Sequence, residues 1–324
     1  MASYRFLFQI AMAACSLAGG SLCIAQIPAT PTAPRFVMYV ASDEGVRFRD
    51  LAKTLPFGKI TDLNLAFADP PQCDGVCSSA SDMRFAVKGQ DGDDLRAIVL
   101  AAHATGVKVT ASIGGGGGDQ RIIAFYNAGL VAPLVASLDA FVKQYNFDGV
   151  DLDIEDASNM GQPFLAMTNA LIATFHPEGR FVTAAVAKYL QASMPDSALA
   201  QFDLLNVMNY SSYAAAKDAL EFYAVQKKVP AEKLVLGVPF FGSTEDDSRE
   251  ESYKAIASAY ANAWKVNIVG GGALDDGQAF RYVGESTMAA EVELGKKYGG
   301  VMVWELLSDA PAPHSLRKVI EDHF

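Results

Sequence analysis

FDGVDLDIE, residues Phe147 to Glu155, is the stretch on which the reading of this chain turns. In an extended strand its alternation puts Asp151, Asp153 and Glu155 on one face, about 6.5 Å from one to the next, and Val150, Leu152 and Ile154 on the other. The apolar face suits packing against helices, which leaves the acidic face pointing into an enclosed space. Three carboxylates in one enclosed row cannot all ionise freely, because desolvation and like-charge repulsion raise at least one pKa. Such a group, held protonated near neutral pH, is what general-acid catalysis requires. The competing explanation is a solvated acidic face on an edge strand, which the flanking apolar pattern disfavours. A calcium loop does not fit, since Asp156 stands where the EF-hand spacing needs Gly and Gln162 where it needs Glu. Asp148 has the other parity and opens the strand, a place suited to accepting backbone N–H bonds.

Working outward, the same phrase recurs: a short apolar run, a loop with Gly or Asp, then an amphipathic helix. The other candidate strands are RFVMYVA from Arg35, ITDLNLAFA from Ile60, VKVTASI from Val107, RFVTAAVA from Arg180, FDLLNVMNY from Phe202, KLVLGVPFF from Lys233 and GVMVWEL from Gly300. Between them lie helical segments such as DDLRAIVLAAHATG, AAKDALEFYAVQKKV and STMAAEVELGKKYG. Strict strand–helix alternation predicts a parallel sheet. Eight units predict an α/β fold of the (β/α)8 TIM-barrel type, typically about 250 residues long, whereas a doubly wound sheet usually stops at about five or six strands. We therefore expect one domain over residues 35–324, with the longest interruption, 243–280, holding at most a small insertion between the seventh and eighth strands.

The composition narrows the function. The chain has 324 residues, 51% of them hydrophobic and 19% charged, so it can bury a large core and is not a disordered type. Its formal net charge of -11 argues against a nucleic-acid polyanion or an anionic membrane as partner, since the long-range field repels both. At the N-terminus, Arg5, an apolar run from Phe6 to Ala18 and the small-x-small Cys23-Ile24-Ala25 read as a signal peptide over residues 1–25, giving a secreted or periplasmic product. QIPATPTAP, residues 26–34, reads as a linker. Cys73 and Cys77 share one Pro/Gly/Ser-rich loop; export would allow a disulfide between them, and the alternative is two free thiols. His103, His176, His314 and His323 are scattered without ligand spacing, so neither a metal nor another cofactor is expected. The glycine run 114–118 lacks the Lys-Ser/Thr of a phosphate-binding loop.

DGVDLDIE also resembles the D-G-x-D-x-D-x-E motif of glycoside hydrolase family 18, the chitinases and related endo-β-N-acetylglucosaminidases. Further pieces follow in that family's order. Ser112-Ile113-Gly114-Gly115 is similar to its S-x-G-G element, Met208-Asn209-Tyr210 to its M-x-Y element, and Met302-Val303-Trp304-Glu305 to the strand carrying its pocket-floor tryptophan. Tyr39 and Phe67 sit where the family places aromatics.

The resemblance implies that Glu155 protonates the glycosidic oxygen while the substrate's own 2-acetamido carbonyl attacks the anomeric carbon, an exception to the two-carboxylate scheme. It implies that Asp153 orients the acetamido group, that Asp151 tunes Asp153 and that Tyr210 hydrogen-bonds the acetamido carbonyl. Trp304 would form the floor beneath the sugar, with Met208, Tyr39, Phe67, Gly114 and Gly115 in the substrate-binding set. The partner implied is an N-acetylglucosamine-containing polysaccharide or oligosaccharide, and a single catalytic module makes a monomer the default. Two positions depart from the pattern: Ser211 where many members have Asp, and Ser243 where an Arg often follows P-F-Y-G. A shortened insertion further suggests a shallow cleft and endo-type cutting. An enzyme on N-glycans and a lectin that has lost catalysis remain the competing readings; retention of Glu155 separates enzyme from lectin better than it separates substrates.

Overall fold

A computed structural model describes residues 33–42, 44–70, 83–116, 118–155, 160–270 and 277–324. Residues 1–25, read above as a signal peptide, most of residues 26–34, read as a linker, and Cys73 and Cys77 with their expected disulfide lie outside these residues. Eight strands form a closed barrel: β1 (Arg35–Ala41), β2 (Asp62–Ala66), β3 (Lys108–Gly114), β4 (Gly149–Asp153), β5 (Phe181–Val186), β6 (Leu204–Val207), β7 (Leu234–Pro239) and β8 (Gly300–Trp304). Every neighbouring pair is parallel, and β8 pairs with β1 to close the ring. Seven of the strands fall within the predicted runs and β3 passes the end of its run by one residue, Gly114, and the chain is a (β/α)8 TIM barrel.

Strand parity sorts the side chains into two cores. Phe36, Met38 and Val40 of β1, Val150 and Leu152 of β4, and Val301 and Val303 of β8 point outward into the large layer between barrel and helices. Val37, Tyr39, Val235 and Met302 point inward into a smaller cluster against which Met208, Phe67 and Trp304 pack. The rest of the interior is polar, with Asn64, Thr110, Ser112, Asp151, Thr183 and Asn206 all buried. An outward apolar layer and a mixed inward set, part apolar and part polar, follow from a period of two along each strand.

Helix ends are fixed by local chemistry. The Gly92–His103 helix starts at Asp91, whose carboxylate accepts from the backbone of Asp93 and Asp94, while Asp94 accepts from the Asp91 N–H, a reciprocal capping box. Arg47 and Arg49 bond the same two aspartates, holding the Asp94 carboxyl well below its usual range against the opposing effect of burial. Asp148 accepts the Val109 N–H at 2.8 Å and pairs with His103, joining the starts of β3 and β4.

The long interruption after β7 folds into a four-stranded antiparallel sheet of Phe241–Thr244, Glu250–Ser252, Ile268–Gly270 and Ala279–Arg281. The helix Tyr253–Ala259 packs against it. Some barrel strands are shorter than the sequence runs. β6 ends at Val207, leaving Met208 and Tyr210 just past its end, where the Met208 N–H still donates to the Val186 carbonyl at 2.7 Å.

Candidate active site

The C-terminal ends of the barrel strands surround a cleft of about 670 Å³. Seven of the residues singled out from sequence line it: Tyr39, Phe67, Asp153, Glu155, Met208, Tyr210 and Trp304. Asp151 lies below, fully buried, and completes the acidic row on the inward face of β4.

Both carboxylate oxygens of Asp151 accept hydrogen bonds. Its Oδ2 accepts from the Tyr39 hydroxyl at 2.7 Å and the Ser112 hydroxyl at 2.7 Å. Its Oδ1 accepts from the Thr183 hydroxyl at 2.6 Å and the Asn206 amide at 3.3 Å. These four donors come from β1, β3, β5 and β6, so only barrel closure brings them together. Burial pushes the Asp151 pKa upward and all four bonds oppose it. Burial likewise raises the Tyr39 and Tyr210 phenols well above their ordinary range, helped by the nearby carboxylates, so both remain hydrogen-bond donors.

The aromatic floor is a packed group. Trp304 stacks on Phe67 with ring centroids 5.6 Å apart and meets Tyr39 at the same 5.6 Å separation in a tilted arrangement. The next residue, Glu305, is buried; its carboxylate accepts from Leu307 N–H at 3.0 Å, Ser308 Oγ at 2.7 Å and Ala41 N–H at 3.4 Å. That ties the end of β8 to the end of β1 and fixes the backbone beneath Trp304. On the opposite wall Tyr210 meets Phe241 edge-on, with centroids 5.4 Å apart.

Gly114 and Gly115 are placed differently from the other predicted residues, since neither lines this cleft. Gly114 has φ +110°, and a Cβ there would lie 1.8 Å from the Asp153 carbonyl oxygen. Gly115 has φ +73°, and a Cβ there would fall 2.3 Å from the Phe67 ring. Both positions therefore exclude other residues for backbone reasons and let β3 run close beside Asp153 and Phe67. Gly114 instead contributes to a neighbouring hollow.

Sequence reasoning passed over Tyr189, Asn209, Asp247 and Glu250, which also line the cleft. Asp247 and Glu250 come from the insertion, and Tyr189 from the loop after β5. No periodicity marks such loop residues. Thr183 was hidden for another reason, since a hydroxyl inside an apolar run resembles ordinary strand content, while Ser112 was quoted within the S-x-G-G element without being given a partner. Ser211 and Ser243, the two departures from the family pattern, both stand in the cleft wall. Trp264 is elsewhere, stacked on His314 with centroids 4.5 Å apart.

Fold and site together define a TIM-barrel protein with an acid-rich, aromatic-floored cleft at the strand ends, where the chemistry of this fold resides. Residues 35–309 match the glycosyl hydrolases family 18, and the chain belongs to that family. Among curated relatives, a probable chitinase 2 of Drosophila melanogaster is 28% identical over 188 residues, covering 48% of this chain and 37% of that protein. The chain thus spans well under half of that relative. Among solved structures, the GH18 chitinase ChiB from the chitin utilization locus of Flavobacterium johnsoniae superposes with a TM-score of 0.74 at 24% identity, covering 90% of this chain and 94% of that one. A GH18 chitinase from Cycas revoluta in complex with (GlcNAc)3 gives a TM-score of 0.68 at 20% identity, covering 89% of this chain and 99% of that one. At these identities the superpositions speak to the fold alone.

Proposed function

We propose that this protein is a retaining glycoside hydrolase that cleaves β-1,4 bonds next to N-acetylglucosamine, in chitin or chito-oligosaccharides. The observation that carries this reading is the row of Asp151, Asp153 and Glu155 rising along β4 from a donor-filled interior into a cleft floored by Trp304. Family membership and the chitinase relatives support the reaction class, and the ligand named for the Cycas revoluta structure supports the sugar.

Each residue then has a task. Trp304 offers an aromatic plane to the C–H face of a pyranose. Glu155, partly buried at the strand end, protonates the leaving glycosidic oxygen. The substrate's acetamido carbonyl oxygen bonds to the anomeric carbon as the glycosidic bond breaks, giving an oxazolinium ion that water opens with retention. Asp153 accepts the acetamido N–H and stabilises the developing positive charge. The Tyr210 hydroxyl, kept protonated by burial, donates to the acetamido carbonyl. Asp151, held from below by its four donors, sets the field in which Asp153 works.

We also propose that residues 1–25 direct export and are removed, which mass determination of the secreted protein would check.

The test of the reaction is release of a fluorophore from N-acetylglucosamine oligomer glycosides, and of glycans from an N-glycoprotein, by the protein and by Glu155→Gln. Oligomer cleavage falling by about 10²–10⁴ in the variant is expected. Glycan release alone would move the substrate to N-glycans. Oligomer binding without any cleavage would make the protein a lectin.

A further inference from the structure

Beneath Asp151, toward the strand starts, the barrel contains a hollow of about 10 Å³. Its polar wall is Asp62 and Asn64 of β2, Thr110 of β3, Thr183 of β5 and Asn206 of β6. Strand register sets its depth, since Thr110 lies beside Gly149, two residues before Asp151. The volume is room for one water molecule.

Two amides on this wall are each satisfied at one end only. Asn64 is 2% exposed; its Oδ1 accepts from the Thr110 hydroxyl at 2.6 Å, while its Nδ2 has no hydrogen-bond partner among the described residues. Burial raises the Tyr39 phenol and the Asn64 amide opposes it, which places the amide near that hydroxyl, yet outside hydrogen-bond geometry. Asn206 is 1% exposed; its Nδ2 donates to Asp151 Oδ1 at 3.3 Å and to the Tyr39 hydroxyl at 3.2 Å, while its Oδ1 is the atom without a partner. One donor and one acceptor are thus left over on the wall of the same hollow. The carboxylate decides which end of Asn206 faces it, because a flipped amide would set oxygen against oxygen.

These leftovers select the occupant. A cation is repelled by the Asn64 N–H and an anion by the Asn206 carbonyl, whereas water donates and accepts at once. Thr110 and Thr183 give their hydroxyl protons to Asn64 and Asp151, so either oxygen can accept the water's second proton. That makes three bonds, the usual number for a buried water.

We propose that this hollow is a binding site for one ordered water, which accepts from Asn64 Nδ2 and donates to Asn206 Oδ1, and that Asn206 is thereby a positioning residue, its N–H held toward Asp151 and Tyr39. The support of Asp151 then extends one tier deeper, from β2 through the water and Asn206 to the carboxylate. A flip of the Asn206 amide would replace a donor to Asp151 by a repelling oxygen, and the water opposes that flip. The water site stands on the hollow and its amides alone; its consequence for catalysis rests on the hydrolase reading given above. The titratable groups around Asp151 are Tyr39 on β1, Asp153 on its own strand, Tyr210 after β6 and, on the wall of the hollow, Asp62, which Arg35 holds at 2.6 Å.

The test has two parts. A crystal structure of the unaltered protein, at a resolution that shows ordered water, should hold one peak about 2.7–3.2 Å from both amide atoms. The pH dependence of kcat/KM on an N-acetylglucosamine oligomer glycoside is then compared for the unaltered protein, Asn64→Leu and Asn206→Leu, with thermal unfolding to verify that both variants are folded. Asn206→Leu removes a donor from the Asp151 carboxylate and so disfavours its charged form; the acidic limb should move up by about one pH unit. Asn64→Leu has no bond to Asp151 to remove and acts through the water, so it should move the limb the same way by about half as much. No peak, a direct bond between the two amides, or an Asn64→Leu protein that loses stability while its limb stays in place would overturn the proposal. A peak at the site in a protein that cuts no oligomer would support the water and overturn the hydrolase reading instead.

Discussion

Asp151 and Glu291 are both buried carboxylic acids, one on the barrel axis and one in the outer helix layer, and the protein treats them in opposite ways. Asp151 is 0% exposed and receives four hydrogen bonds from four strands. Glu291, in the helix Glu285–Gly295, is 1% exposed, and neither of its carboxyl oxygens has a hydrogen-bond partner among the described residues. Burial raises both pKa values, and for Glu291 it acts unopposed, to about 8. Protein dipoles replace water around the first acid; the second avoids the cost of desolvated charge by keeping its proton. A buried carboxylate with converging donors indicates a built site, and one without them is a packed neutral side chain.

Removing the acid that has partners should have the largest effect. Asp151→Ala leaves four buried donors without their acceptor, so we expect a stability loss on the order of 3–5 kcal/mol in urea unfolding. A loss below about 1 kcal/mol would mean that the four bonds contribute little net stabilisation.

The next effect concerns pH. The unfolded chain releases the Glu291 proton near 4.5 and the folded protein only near 8. Below 4.5 both states are protonated and this contribution is fully present; as pH rises the unfolded state ionises first and gains stability, until the folded state also ionises near 8. Unfolding free energy should therefore fall between these limits by an amount on the order of 5 kcal/mol from this residue. Glu291→Gln should flatten that limb of the stability profile while leaving activity intact. An unchanged slope in the variant would show that Glu291 is not the titrating group.

Thr183→Val sharpens the comparison at the smallest scale. It removes one of the four donors to Asp151 while nearly preserving shape, so a loss of about 1 kcal/mol is expected. The Glu291 limb of the pH profile should stay where it was. A shift of that limb on Thr183 substitution would mean that the two buried acids are coupled and that the contrast between them is false.

Much of the fold was legible because strand rules are local. The eight runs of alternating or continuous apolar residues located all eight barrel strands, and the parity of FDGVDLDIE placed Asp151 and Asp153 inward and Val150 and Leu152 outward. Of the seven predicted cleft residues, Asp153 and Glu155 followed from strand parity, and Tyr39, Phe67, Met208, Tyr210 and Trp304 were implied by the family resemblance. Gly114 and Gly115 were harder to read, because their demand for small size comes from Asp153 and Phe67, which are remote in sequence. The sequence gives no sign of the burial of Glu291, since a glutamate in AAEVELG reads like any helix-surface acid.

The order of elements and the facing of the acidic row were thus determined by the sequence itself, through periodicities of two and 3.6 residues that need no knowledge of distant contacts, and the family resemblance by short motifs read in order along the chain. Tertiary structure alone decided which hydroxyls and amides converge on Asp151, that Tyr189, Asp247 and Glu250 reach the cleft, and which acid lies buried without a partner. The physical reason is that these properties depend on the register with which the barrel closes and on the packing of helices around it. Closure brings residues more than a hundred positions apart, such as Tyr39 and Asp151, to within 2.7 Å.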